Sequence, residues 1–281
     1  MPEPTTVADL LREALAQLPA DRQLDVEWLL GHVLQLDRAG LRRERDAPVS
    51  SAQQRRWREV FSVLCAGRPV AQLLGSWEFW SLEFEVDEHV LIPRPDTECL
   101  VALGCELARA APAGPVLDLG TGSGAVAVCL ARELPDRQVF ALERSAAALS
   151  VARRNVARLA PGRVGLLRGS WLAAVADASC AVIVANPPYV TDDDPGLAAA
   201  GTLSFEPRTA LAAGPDGLDD LRVITAEAPA RLFSGGWLAL EHGSDQGAAV
   251  RALLEASRFH RVDTRRDLAG HERVSFGQRG A

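Results

Sequence analysis

Lysine is absent from this chain of 281 residues, so all 30 basic side chains are arginines, set against 37 aspartates and glutamates. The formal charge of −7 weighs against strong nonspecific binding to a phosphate backbone, although a local basic groove stays compatible with it. Long apolar runs are missing too. No stretch reaches the roughly 18 residues that a membrane-spanning helix needs. The N-terminal segment has Glu3 and Asp9 where a secretion signal would carry positive charge and then an apolar block. Both absences point to the cytosol and away from a membrane. Cysteine is sparse: Cys65, Cys99, Cys105, Cys129 and Cys180 show no C-x-x-C spacing and no disulfide-scaffold density. They read as buried small hydrophobes or free thiols, and no metal ligand set emerges. With 48% hydrophobic and 24% charged residues, what is present is an ordinary folded chain.

The first third has helical periodicity. Val7, Leu10, Leu11, Ala14, Leu15 and Leu18 share one helix face. A second helix is expected over Asp21 to Leu36 with Leu24, Trp28, Leu29 and Val33 inward, and a third over Ser51 to Ala66 with Trp57, Val60, Phe61 and Leu64. Polar residues from Arg42 to Ala47 separate those two. Helices this short need partner surfaces, which predicts a small bundle over residues 1–67. Alternating aromatics between Leu73 and Val86 predict a β-hairpin within a linker of residues 68–95. Two prolines, Pro93 and Pro95, interrupt regular structure before a helix that Asp96 or Thr97 is expected to cap. From residue 96 to 281 short apolar strands alternate with helical patterns, among them Val116 to Leu119, Gln138 to Leu142 and Ala181 to Ala185. That alternation predicts an α/β domain with a Rossmann-like, doubly wound, mostly parallel sheet.

Directly after the first of these strands comes Gly120-Thr121-Gly122-Ser123-Gly124, opening a helix. Glycines let backbone approach a ligand closely and accept positive φ. Glu143 ends the next strand, where a carboxylate can accept ribose hydroxyls. The loop therefore reads as an adenosine-cofactor site. Since Gly120-x-Gly122-x-x-Ala125 also satisfies the permissive dinucleotide pattern, NAD competes at this point.

The discriminating segment is Asn186-Pro187-Pro188-Tyr189, which follows the strand Ala181 to Ala185. In an open α/β sheet ligands lie beyond the strands' C-terminal ends, so Asn186 should face the same crevice as Gly122. An Asn side-chain oxygen and a prolyl carbonyl can accept both N–H bonds of a target NH₂ and aim its lone pair at a methyl donor. Pro187 and Pro188 stiffen that backbone, and Tyr189 can stack on a planar target. A plain strand-ending turn is the competing reading, since Asn-Pro is a common turn pair. The full tetrapeptide downstream of a glycine loop favours methylation of an amino or amide nitrogen.

Over nearly its whole length the chain resembles the bacterial release factor glutamine methyltransferases. The resemblance is carried by Asn186 to Tyr189, Leu91 to Glu98, Val116 to Gly124, Glu206 to Leu211, Gly214 to Leu218 and Leu240 to Gly243, with Asp25 to Leu30 in the helical region. It implies S-adenosylmethionine as cofactor, with S-adenosylhomocysteine as product. The implied reaction is methylation of the glutamine in the Gly-Gly-Gln motif of class-1 peptide chain release factors, the partner proteins. It further implies that Gly120, Thr121, Gly122, Ser123 and Gly124 line the methionine end, that Glu143 holds the ribose, and that Trp171 flanks the adenine. Asn186 would touch cofactor and substrate, and Pro187, Pro188 and Tyr189 the glutamine. The helical region would dock the protein substrate, and a monomer is expected. Asp96 stands where the family usually has Glu, Glu143 where Asp is commoner, and Gln72 near a position often aromatic.

Other readings predict other features. A related branch acts on a glutamine of a ribosomal protein, but its counterpart of Pro93 to Glu98 typically lacks the second proline and the threonine. An adenine-amino methyltransferase shares the Asn-Pro-Pro-Tyr chemistry yet wants a basic target-recognition domain, and the N-terminal region is nearly neutral. A non-catalytic adaptor is disfavoured by the intact loop, Glu143 and Asn186. An NAD oxidoreductase is disfavoured because none of His32, His89, His242, His260 and His271 is expected in the crevice.

Overall fold

The computed structural model describes residues 5–198 and 202–280; residues 1–4 and 281, at the outer ends of the two expected domains, lie outside the described residues. The chain divides into two compact units, one running to Gly75 and taking in Thr202–Phe205, the other holding Ser76–Ala198 and Glu206 onward.

The first unit is helical: α1 (Val7–Leu15), α2 (Gln23–Leu34), α3 (Arg38–Arg43), α4 (Ser51–Cys65) and α5 (Val70–Leu74). Two capping boxes set helix starts. Thr6 and Asp9 close α1, Ser50 and Gln53 close α4, and each satisfies backbone donors that the first turn leaves orphaned. Trp57, Val60, Phe61 and Leu64 are buried on one face of α4 as their spacing predicts, with the Trp57 and Phe61 rings stacked at 4.9 Å. In α2 the inward stripe is Val26, Leu29 and Leu30, while Leu24 is 45% exposed, contrary to expectation. The helix begins at Gln23, after a 3₁₀ turn at Ala20–Arg22, and within it Leu24 lies about 200° round from the buried Val26. The short α3 lies partly in the stretch expected to be a polar separator.

The second unit opens with the hairpin β1 (Ser76–Phe79) and β2 (Leu82–Glu85), then α6 (Glu98–Ala110) after a 3₁₀ turn at Pro95–Thr97. The alternation follows: β3 (Val116–Leu119), α7 (Ala125–Glu133), β4 (Val139–Glu143), α8 (Ala146–Leu159), β5 (Val164–Arg168) and β6 (Cys180–Ala185). After α9 (Pro195–Ala198) come α10 (Asp219–Arg231), β7 (Leu232–Glu241), α11 (Gly247–Ala256), β8 (Phe259–Arg266) and β9 (Glu272–Arg279). The strands form one seven-stranded sheet in the order β5-β4-β3-β6-β7-β9-β8, parallel except for β9, which runs antiparallel to both neighbours. This is the expected doubly wound sheet.

Residues along the central strands alternate between two cores. Val116, Val182, Val184 and Ala239 pack under α6, α7 and α8, whereas Leu117, Leu119, Ile183, Leu238 and Leu240 pack under α10 and α11. Each fully buried Leu or Val contributes about 1.5–3 kcal/mol, which is why the strands read as continuous apolar runs. The chain winds outward in opposite directions from β3 and β6, so a crevice opens at their C-terminal ends.

Candidate active site

Sheet register lines up the four residues that matter. Leu142 pairs with Leu119, Leu119 with Ala185, and Ala185 with Leu240. One step further along the four strands stand Glu143, Gly120, Asn186 and Glu241, side by side at the rim. A cavity of about 1040 Å³, its open mouth included, lies over this rim between the glycine loop, Glu143, Trp171, Asn186 and Pro188.

The loop after β3 takes left-handed φ at Gly120 (67°), Gly122 (55°) and Gly124 (84°), a region in which other L-residues are strained. A Cβ on Gly120 would come within 3.2 Å of the Trp171 ring, so only glycine lets that ring lie against the loop. Trp171 is held there by its indole N–H, which donates to Asp220 Oδ1 at 2.9 Å. Asp118 braces the loop from below. It accepts from Thr121 Oγ1 and from the Ala127 backbone N–H, tying the loop to the first turn of α7. Burial pushes the Asp118 carboxyl up to about 7, against the lowering effect of those bonds. Asn155, wholly buried on α8, donates to the Ser123 carbonyl and to the Glu85 carbonyl, fixing the far side of the loop.

Glu143 is 8% exposed and accepts one backbone N–H on each oxygen, from Gly122 at 3.1 Å and Ser145 at 2.8 Å. Both oxygens keep a lone pair for ligand hydroxyls. A closely approachable loop, a fixed carboxylate and an indole face fit the adenosine and methionine parts of S-adenosylmethionine.

Asn186 lies at the opposite wall, where its Nδ2 donates to Thr97 Oγ1 at 3.1 Å. Thr97 was expected to cap α6, but its hydroxyl makes no cap bond and donates instead to Glu241 Oε1 at 3.2 Å. Pro188 lines the cavity; Pro187 is buried and Tyr189 half-buried, and neither is among the lining residues. The Tyr189 phenol is pushed up to about 12, first by burial and then by Glu241, so it keeps its proton at neutral pH. Its backbone carbonyl accepts from Gln246 Nε2 at 3.0 Å, which holds the tetrapeptide in place. Two further segments edge the cavity, one through Arg94 and one through Pro207 and Thr209. They are joined by buried Glu206, which pairs with Arg94 and accepts the Ile92 N–H at 2.9 Å. One histidine does reach the cavity: His89 lines it, against expectation, on a turn whose backbone N–H bonds Asp87. His242 is buried, with its ring against Ser275 and the Gly243 carbonyl.

Comparison with known proteins decides the family. Residues 101–215 match the family model described as Methyltransferase small domain, and residues 9–75 the one described as PrmC N-terminal domain. A release factor glutamine methyltransferase of Burkholderia pseudomallei is 47% identical over 99% of this chain and 97% of its own length. The protein of the same name from Escherichia coli K12 is 42% identical, over 95% and 97%. The chain belongs to the release factor glutamine methyltransferases. Among solved structures, a methyltransferase from Pyrococcus furiosus shares the fold at TM-score 0.53 and 19% identity, over 81% of this chain and 99% of that one. In this member of the family the glycine loop, Glu143, Trp171 and Asn186 line one cavity. Asp118, Asn155 and Glu241 had no role assigned from the sequence, and Thr97 only that of a possible helix cap. Their signal is faint: a polar residue inside an apolar strand or helix face, which marks burial with a partner but does not name it. No described helix is long and apolar enough to cross a membrane.

Proposed function

We propose that the protein methylates the side-chain amide nitrogen of the glutamine in the Gly-Gly-Gln motif of class-1 peptide chain release factors, using S-adenosylmethionine and leaving S-adenosylhomocysteine. The observation that carries this reading is the placing of Asn186 on the strand next to Gly120, level with it in register, with its Nδ2 bonded inward to Thr97. Its Oδ1 is then the carboxamide atom available to a ligand. When bound, S-adenosylmethionine supplies an electrophilic methyl group on a cationic sulfur. The protein's part is positional. Glu143 and the loop hold the adenosine and methionine ends, while Asn186 Oδ1 and the Pro187 carbonyl accept the two N–H bonds of the target amide. An amide lone pair is delocalised into its carbonyl and is a poor nucleophile; those two acceptors favour the pyramidal nitrogen whose lone pair points at the methyl. The methylated nitrogen then sheds its proton to solvent, so no side-chain base is required. Preorganised acceptors of this kind supply much of enzymatic rate enhancement.

The helical first unit is assigned the docking of the release factor, on its match to the family's N-terminal domain. The test is direct: incubate the enzyme with methyl-labelled S-adenosylmethionine and purified release factor, then map the label by peptide mass. Label on the Gly-Gly-Gln glutamine is expected. Label only on a ribosomal protein or on adenine would replace this assignment.

A further inference from the structure

An asparagine carboxamide is nearly symmetric in shape, so its neighbours decide whether oxygen or nitrogen faces a ligand. For a target NH₂ the difference is decisive: an oxygen accepts its N–H, whereas a nitrogen presents another donor against it. Behind Asn186 stands a two-bond chain, Nδ2 to Thr97 Oγ1 at 3.1 Å and Thr97 Oγ1 to Glu241 Oε1 at 3.2 Å. A threonine hydroxyl has a single proton to donate. Glu241 is fully buried at the end of β7, directly beside Asn186 in the sheet register; burial raises its carboxyl to about 7, and in the ionised form it offers only lone pairs. Thr97 therefore gives its proton to Glu241 and is left as an acceptor toward Asn186. The NH₂ of Asn186 must turn inward, and its oxygen outward.

We propose that Thr97 and Glu241 are positioning residues that set the polarity of the Asn186 carboxamide. This rests on the assignment of Asn186 as the acceptor for the target amide. The burial of Glu241 supports it: Oε1 takes the Thr97 proton and the Asn186 amide also helps to hold the carboxylate, while among the described residues Oε2 has no partner within hydrogen-bond distance, a cost that packing alone gives no reason to bear. The nearby cation Arg273 pairs with Asp96 at 3.1 Å and Asp267 at 3.3 Å, so it has other partners besides Glu241. Thr97 is likewise spared from helix capping, since α6 starts without a side-chain cap.

The chain of bonds predicts a specific failure. In E241M the Thr97 proton loses its acceptor and turns to Asn186, whose carboxamide flips and presents NH₂ to the substrate. In T97V the partner of Nδ2 is gone, and T97S restores it. Since T97V leaves a buried carboxylate unpaired and can unfold the protein, T97V/E241M replaces both polar groups by apolar ones of similar volume, a change buried charges often tolerate.

The experiment measures kcat and KM with release factor, S-adenosylmethionine affinity by calorimetry, and melting temperature, for all four variants. The two single losses and the double variant should lower kcat roughly tenfold to a hundredfold, the scale of losing a group that orients a catalytic one. Cofactor affinity should stay within about twofold, and T97S should recover most of the turnover that T97V loses. A second readout does not need turnover. In ¹⁵N-labelled protein with S-adenosylhomocysteine, the Asn186 side-chain NH₂, identified by its loss in N186A, should exchange slowly with water in the wild type and rapidly in E241M. Folded E241M and T97V/E241M enzymes with wild-type kcat, or with raised KM alone, overturn the proposal, as does unchanged exchange in E241M. A wild-type enzyme that leaves release factor unmethylated overturns the function assignment instead, while the exchange measurement still reports on the relay.

Discussion

Asn186 and Glu143 line the same cavity on either side of Gly120, and their proposed roles differ, so their substitutions should separate kinetically. N186A removes the acceptor for the target amide and is expected to lower kcat by about two to three orders of magnitude, the cost of one preorganised transition-state contact. Its melting temperature should change little, because the residue ends a strand at an open rim. A folded N186A enzyme with full activity would show that Asn-Pro-Pro-Tyr is only a turn. E143A acts on binding. It removes a carboxylate that accepts the Gly122 and Ser145 amides and that is proposed to accept the ribose hydroxyls. A charge-assisted bond contributes about 1.5–3 kcal/mol, so calorimetry should show S-adenosylmethionine affinity falling roughly tenfold to a hundredfold. Unchanged affinity would take Glu143 out of the site.

At the scale of the element, the loop between β3 and α7 depends on its glycines. Three positive φ values fall within five residues, and the helix starts at Ala125 only after Gly124 has turned left-handed. The helical pattern in the sequence could not show this, because dihedral angles leave no periodic trace. G120A meets two penalties at once, a left-handed Cβ worth about 1–2 kcal/mol and a contact of 3.2 Å with Trp171. Relief comes by pushing the indole off Asp220 and into the cavity. The expected outcome is a lower melting temperature together with weaker S-adenosylmethionine binding in calorimetry. Normal values for both would mean that loop and indole are free to move apart.

Across the whole molecule, two buried carboxyls give stability an unusual pH dependence. Burial, the largest cause in each, pushes Asp118 and Glu241 up to about 7. A carboxyl raised in the folded state binds its proton more tightly there than when unfolded. Its contribution is therefore complete below the ordinary carboxylate range and is lost as pH climbs toward 7. Asp267 and Glu272, lowered by their hydrogen bonds and by arginines, work the other way and lose their contribution in acid. Maximum stability should lie in mild acid, with melting temperature falling between about pH 5 and about pH 7.5. D118N, which cannot ionise, should flatten that fall; an identical slope would mean that Asp118 does not titrate there. The helical unit makes its own prediction. A chain starting at Ser76 should keep cofactor affinity in calorimetry while KM for intact release factor rises at least about tenfold, the loss of one modest docking contact. A normal KM would free that unit for another role.

The sequence by itself determined the sheet, the glycine loop, Glu143 and Asn-Pro-Pro-Tyr, because each rests on local signals: a run of apolar residues, a glycine spacing, a residue at a strand end. Strand ends were legible to within a residue or two for β3, β4 and β6, since burial on both faces makes them short, mainly apolar runs. What the tertiary structure alone decided depends on register and on partners far apart in the chain. Nothing near Thr97 indicates that its hydroxyl skips the helix and reaches Glu241, 144 residues on. Leu24 read as inward, yet the packed face of α2 is that of Val26, Leu29 and Leu30. His89 reached the cavity because a turn carried it there, and Tyr189 settled beside Glu241 and Arg273 instead of lining the cavity. Local periodicity specifies elements; only the packed sheet, by lining up the ends of β4, β3, β6 and β7, brings Glu143, Gly120, Asn186 and Glu241 into one row.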